Sequence, residues 1–102
     1  MIDDLRARFL PRFVAASRAR LARSRGLTAP ASADPGTLAK ELHAMAGEAA
    51  LIGFPDLADL ARATEISARA WASGHADAAE RCRRNLAELE VAVEALALAQ
   101  SG

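Results

Sequence analysis

A chain of 102 residues is long enough for one domain, which we expect to span residues 1–102, and too short for a cleft enclosed between two lobes. The sequence has 27 alanines, no tyrosine and few β-branched residues, a composition that favours helices over sheets. The formal net charge of zero argues against a surface that tracks nucleic acid or an anionic membrane. The single cysteine, Cys82, excludes an internal disulfide and gives no zinc-binding cysteine pattern.

The first predicted helix covers about residues 2–23, with apolar residues spaced by three or four. Its predicted buried face consists of Ile2, Leu5, Phe9, Phe13 and Ala16. Pro11 lies inside this segment, where a proline removes a backbone hydrogen bond, so we expect a kink or two shorter helices there. A loop rich in Gly, Pro and Ser follows over residues 26–33.

The second predicted helix begins with Asp34 as its cap and Pro35 in its first turn, and it ends at Gly53. Pro55 opens the third helix, which ends near Gly74, and Asp77 is expected to cap the fourth. The apolar seams of these three helices contain Leu38, Leu42, Met45, Ala49 and Ile52; Leu57, Leu60, Thr64 and Trp71; and Cys82, Leu86, Leu89, Val93 and Leu96. Because the loops are short, the sequence predicts an all-α fold, an antiparallel up-down four-helix bundle.

His43 is the candidate functional residue. It lies one position after Leu42, about 100° around the helix from the apolar seam, so we expect it at the boundary or on the solvent side. Helical side chains lean toward the N-terminus, and the positions that would cover His43 are Ala46 and Gly47. The imidazole is therefore predicted to be open to the approach of a partner.

A glycine in the middle of a helix, such as Gly47, lowers helix stability by about 1 kcal/mol relative to an alanine, so its presence needs an explanation. One explanation is the close approach of a partner surface to His43. The other is packing within the bundle, in which Gly47 receives the side chain of a neighbouring helix and His43 is an ordinary exposed residue. The spacing alone does not separate the two.

Residues 38–65 resemble the signature of the histidine phosphotransfer (HPt) family of two-component phosphorelays. That signature has an apolar residue and a histidine, a glycine four residues on, a small residue, a second glycine, and a helix in Leu-x-x-Leu spacing that closes on Glu. The matching positions are Leu42, His43, Gly47, Ala49, Gly53, Leu57, Leu60 and Glu65. Phe9 and the nearby Pro11 are also similar to the N-terminal segment of the family.

The resemblance implies a phosphohistidine carrier rather than a true enzyme, with His43 as phosphoacceptor. The implied partners are a response-regulator receiver domain, a hybrid histidine kinase, or both. The chain would need no cofactor of its own, because in this family the receiver supplies Mg²⁺. We expect neither a metal site in this chain nor a nucleic-acid partner.

The sequence departs from the family at one position near the histidine. The family usually has a lysine three residues after it, and this chain has Ala46. Lys40 lies one turn before His43 and leans away from it, so it is an imperfect substitute. The departure leaves open a non-catalytic module that docks a receiver or a kinase without phosphotransfer.

The charges are unevenly distributed along the chain. Residues 1–26 carry a net charge of +5 and residues 27–102 a net charge of −5. The basic segment is interpreted as a solvated face, with nucleic-acid binding and steering of an acidic receiver as alternatives. No apolar run approaches the roughly 20 residues needed to span a bilayer, and the start is acidic where a signal peptide is basic, so we expect no membrane partner and a cytoplasmic location.

Overall fold

The computed structural model describes residues 2–101 of the chain, with side chains described for residues 6–99. Four helices occupy most of this range: α1 (Ile2–Gly26), α2 (Pro35–Leu51), α3 (Pro55–Ala72) and α4 (Ala78–Ser101). Residues 2–101 contain no strand, which confirms the predicted all-α class. None of these four helices combines the length and the apolar character that crossing a membrane would require.

The ends of α2 and α3 and the start of α4 lie close to the predicted positions, whereas α1 runs beyond its predicted end at about residue 23, to Gly26. Asp34 caps α2, because its carboxylate accepts hydrogen bonds from the backbone N–H and the hydroxyl of Thr37. Gly53 and Gly74 follow α2 and α3 with φ angles of +86° and +100°, which only glycine adopts without strain. The helix α4 begins at Ala78, directly after Asp77.

Contacts between helices establish their antiparallel order. Arg18 and Arg25 of α1 pair with Glu94 and Glu90 of α4, so the sequence numbers rise along one helix as they fall along the other. The start of α3 and the end of α4 line one apolar groove between them, formed by residues 54–60 and 92–99. The predicted up-down bundle is confirmed.

The core lies mainly among α2, α3 and α4, with the most extensive packing between α2 and α3. The seam residues predicted for these helices are buried or half-buried, including Leu38, Leu42, Met45, Leu89 and Val93. Small residues complete the interior, among them Ala39, Ala46, Ala49, Ala58, Ala61 and Ala68. Alanine-rich faces let two helix backbones approach closely, which offsets the small number of large apolar side chains.

The buried face predicted for α1 is wrong in part. Phe13 is buried as expected, whereas Phe9 and Ala16 are exposed, and the side chains of Ile2 and Leu5 lie outside the described residues. The residues that α1 turns inward are Leu10, Phe13, Val14, Ser17, Leu21 and Ser24. The pattern was misleading because Ser17 and Ser24 count as polar residues. The hydroxyl of Ser24 is nevertheless accommodated by a hydrogen bond to the Arg20 carbonyl one turn back, while the buried Ser17 hydroxyl has no partner among the described residues.

Pro11 does not divide α1. The helix is continuous from Ile2 to Gly26, so of the two expectations at Pro11 that of two shorter helices is wrong. Pro11 lies on the exposed side of α1, so its ring does not interrupt the packing of the buried side.

The sequence suggested that the arginines of α1 form a solvated basic face, but several of them pair with other helices. Arg20 is largely buried and bridges Glu41 and Glu48 of α2, and Arg23 also reaches Glu41. Arg18 and Arg25 pair with α4, and Arg6 donates to the backbone carbonyls that follow α2. Four of these arginines are thus paired with carboxylates of the acidic remainder of the chain, mostly at the surface of the bundle.

Candidate functional site

His43 lies in the middle of α2 with its side chain directed to solvent. Its neighbour Leu42 is fully buried, while 74% of the His43 side chain is exposed. The predicted exposure is therefore confirmed. A mid-helix histidine has no free backbone N–H groups beside it, so only side chains of the protein can act on the imidazole ring or on a group attached to it.

One side chain from α3 contacts the imidazole. The carboxylate of Glu65 lies beside Nδ1 of His43, with Oε2 at 3.2 Å and Oε1 at 3.4 Å. A carboxylate only accepts hydrogen bonds, so this contact requires the hydrogen of a neutral imidazole to be on Nδ1. The lone pair of the ring is then on Nε2, which has no hydrogen-bond partner among the described residues.

Arg69 holds Glu65 in place from the next turn of α3. Its Nε and Nη2 donate to the same Oε2 atom, at 2.9 and 2.7 Å. Glu65 is itself mostly buried, with 12% of its side chain exposed, whereas Arg69 is 57% exposed. One oxygen atom therefore links the imidazole to a guanidinium, and the three side chains form a row along the α2–α3 boundary.

Gly47 leaves the surface beside His43 open. A Cβ added to this glycine would meet no atom of another helix within 4 Å among the residues that the structure describes. Of the two explanations offered by the sequence, packing of Gly47 within this chain is excluded. Ala44, Ala50 and Leu51 are exposed on the same stretch of α2, and Leu51 is 87% exposed.

Ala46 does not lie on the open surface. Only 2% of it is exposed, and it belongs to the core cluster with Ala39, so the bare surface over His43 comes from Gly47 alone. The sequence pattern missed this because α3 packs against that side of α2. A lysine at position 46 would have to extend from this buried backbone position before its ammonium reached solvent.

Lys40 is exposed, and its positive charge acts on Asp34 at the N-terminal end of α2. Hydrogen bonds from the hydroxyl and the backbone of Thr37 hold the pKa of Asp34 below its ordinary value, and the positive charge of Lys40 adds to this effect. Lys40 has no hydrogen bond to His43 among the described residues. Its expected lean away from His43 is consistent with this arrangement.

Sequence reasoning missed Glu65 and Arg69 as members of the site. In the sequence Glu65 is recognisable only as the last residue of the family signature, and no pattern indicates Arg69. A weak signal was present: Glu65 follows Thr64 as His43 follows Leu42, one step from a buried seam position. Boundary residues on antiparallel neighbours face each other only when the helices have the right register, which the periodicity of one helix does not specify.

The arrangement supplies an accessible nitrogen nucleophile on a rigid element. A neutral imidazole with its hydrogen on Nδ1 presents Nε2 outward, and Glu65 can balance a positive charge that develops on the ring. Within the part of the chain that the structure describes, no group of three or more His, Cys, Asp or Glu side chains could hold a metal ion.

Comparison with known families identifies the chain over most of its length. The model of the Hpt domain family matches residues 8–99 of the 102 residues. Comparison with curated proteins and with solved structures gave no match. The family match includes the α2–α3 pair that brings His43, Glu65 and Arg69 together.

Proposed function

The chain belongs to the Hpt domain family, and this membership supports a histidine phosphotransfer role in phosphorelays, so we propose that His43 is the residue that carries the phosphoryl group. The supporting observation is the combination of exposure and orientation at this residue. His43 is 74% exposed beside the open surface of Gly47, and Nδ1 contacts Glu65 so that Nε2 faces outward. His75, the other histidine, lies in the exposed turn before α4.

The proposed donor or acceptor is the phosphorylated aspartate of a response-regulator receiver domain. In the forward step the lone pair of Nε2 attacks phosphorus, and the bond between phosphorus and the aspartate oxygen breaks with its electron pair returning to the carboxylate. The hydrogen stays on Nδ1, so the phosphorylated ring is cationic and its charge is balanced by Glu65. The reverse step returns the electron pair to Nε2.

In this proposal the receiver and this chain contribute different parts of the reaction. The receiver, with bound Mg²⁺, neutralises charge on the phosphoryl oxygens during transfer. This chain contributes the positioned nucleophile, Nε2 of His43, and the open surface at Gly47 to which the receiver can bind. It acts as a phosphohistidine carrier rather than as an enzyme that turns over a substrate.

The test is transfer from a phosphorylated receiver domain in the presence of Mg²⁺. We expect acid-labile phosphate on the wild-type protein, none on His43→Ala, and wild-type labelling of the control His75→Ala. Persistent labelling of His43→Ala, or loss of labelling in His75→Ala, contradicts the assignment. Circular dichroism of both variants checks that the bundle is intact.

A second candidate function is a docking module that binds a receiver or kinase without phosphotransfer. Ala46 favours it, because the cation usual in the family is missing at this position. The exposed Leu51 and the small residues around Gly47 would serve docking equally well. Such a module binds a receiver domain in a pull-down or titration experiment, yet the wild-type protein acquires no acid-labile phosphate.

A further inference from the structure

The site lacks a cation on α2 where a phosphoryl group would need one. A phosphoryl group carries about two negative charges near neutral pH and has three acceptor oxygens. On His43 it would lie beside Glu65, which is also negative and only 12% exposed. Position 46 is a buried alanine, and Lys40 is not bonded to His43. The receiver's Mg²⁺ acts only during transfer, so within this chain we look to a neighbouring helix for the compensating charge.

The direction in which helical side chains lean selects one arginine of α3. His43 leans toward the N-terminus of α2, and α3 runs antiparallel to α2. Arg69 lies one turn after Glu65 and leans back toward it, so Arg69 and the imidazole converge from opposite directions. Their convergence is seen directly, because Arg69 and His43 both bond Oε2 of Glu65.

Arg62 provides the contrast on the same helix. It lies three residues before Glu65, and its exposed fraction of 56% is close to the 57% of Arg69. Its side chain leans away from the site, and Nη1 lies 3.9 Å from the carboxylate of Asp59. Two arginines of equal charge and similar exposure thus flank Glu65, and only Arg69 is directed toward His43.

We propose that Arg69 supplies the countercharge for the phosphoryl group on His43, in place of the cation that α2 lacks at Ala46. In the free protein the guanidinium donates from Nε and Nη2 to Glu65, and its Nη1 donors have no acceptor among the described residues. When the phosphoryl group is present, these donors bond its oxygens while Glu65 stays on Nδ1. This inference rests on the proposed function of His43.

The experiment titrates the phosphoryl group itself. The protein is phosphorylated with phosphoramidate, a small phosphodonor, in a His75→Ala background, and the ³¹P signal of phosphohistidine is followed against pH. A nearby cation favours the more highly charged form of the phosphoryl group and so lowers its pKa. Arg69→Gln should raise that pKa by about 0.5 units, a threefold change in the ionisation constant, because the cation is partly screened by solvent.

Matched variants separate the inference from its alternatives. Arg69→Lys should retain most of the effect, and Arg62→Gln should titrate as the parent protein does. The effect of Arg69→Gln should persist in a Glu65→Gln background, because Arg69 acts on the phosphoryl group directly and not only by screening Glu65. Arg62 and Arg69 are exposed, so their substitutions leave the buried core residues untouched.

The results that overturn the inference are distinct from those that overturn the proposed function. Absence of any phosphohistidine signal in the parent protein removes His43 as phosphoacceptor and the inference with it. A normal signal that is insensitive to Arg69→Gln, or equally sensitive to Arg62→Gln, removes only the role of Arg69. Loss of the effect in the Glu65→Gln background does the same.

Discussion

Nδ1 of His43 lies 3.2 Å from Oε2 of Glu65, although the imidazole side chain is 74% exposed and the two residues are 22 positions apart in the sequence. The ring is therefore oriented without being covered. Orientation comes from a carboxylate on α3 that is itself held by Arg69, and access comes from the bare surface of Gly47. These two properties are what a nucleophile needs when its reaction partner is another protein.

The first prediction concerns Glu65. Replacing it with alanine removes the acceptor that keeps the hydrogen on Nδ1, and we expect phosphotransfer from a receiver domain to slow by about three- to tenfold. Glu65→Gln should slow it less, because an amide oxygen can still accept from Nδ1. Single-turnover transfer kinetics provide the measurement. The control is Glu88→Gln on the exposed side of α4, and wild-type rates for both Glu65 variants would rule out the orienting role.

The second prediction concerns Gly47. Gly47→Leu should slow transfer, because a bulky side chain occupies the surface through which a partner approaches His43. The same substitution should leave the bundle folded and up to about 1 kcal/mol more stable, since leucine is the better helix former and a Cβ here meets nothing within 4 Å. Transfer kinetics and urea unfolding measure the two effects.

The matched control for Gly47 is Ala87→Leu, which adds a similar side chain to the exposed side of α4. We expect it to leave transfer unchanged. If Gly47→Leu transfers at the wild-type rate, the glycine has no role in partner approach.

The third prediction concerns the cap of α2. Hydrogen bonds from Thr37 hold the pKa of Asp34 below its ordinary value of 3.8 in the folded protein. A carboxyl group with a lowered folded-state pKa stabilises the protein above its ordinary pKa, and the stabilisation is lost as the pH falls through the lowered value. Asp34→Ala should therefore be less stable than the wild type at neutral pH, and the difference should shrink in acid.

Urea unfolding at a series of pH values measures the Asp34 effect. Asp34→Asn is the matched control, because its amide oxygen can still cap the helix and does not titrate. Its stability difference from Asp34→Ala should not depend on pH. If the stability difference between the wild type and Asp34→Ala stayed constant down to strongly acidic pH, the assignment of the pH dependence to Asp34 would be wrong.

The fourth prediction concerns the core. Leu89 is fully buried in α4, so Leu89→Ala should destabilise the protein by about 2–5 kcal/mol. Val91, two residues further along the same helix, is 69% exposed, and Val91→Ala should change stability by no more than about 0.5 kcal/mol. Chemical unfolding compares the two variants, and equal effects would mean that α4 packs with another face inward.

Much of the fold could be predicted because helices are local structures. Asp34, Pro35, Gly53 and Gly74 mark helix ends through interactions with residues a few positions away. The seams of α2 and α4 follow from the spacing of their apolar residues. The face of α1 was less predictable, because buried serines and an exposed Phe9 break the link between side-chain polarity and burial.

By itself, the sequence determined that His43 points outward, since its angle from Leu42 is a property of a single helix. Only the tertiary structure decided what His43 meets. The position of Glu65 beside Nδ1, the approach of Arg69 and the burial of Ala46 all depend on how α3 is rotated and displaced relative to α2. That register results from the packing of side chains along the whole interface, and no periodicity within one helix contains it.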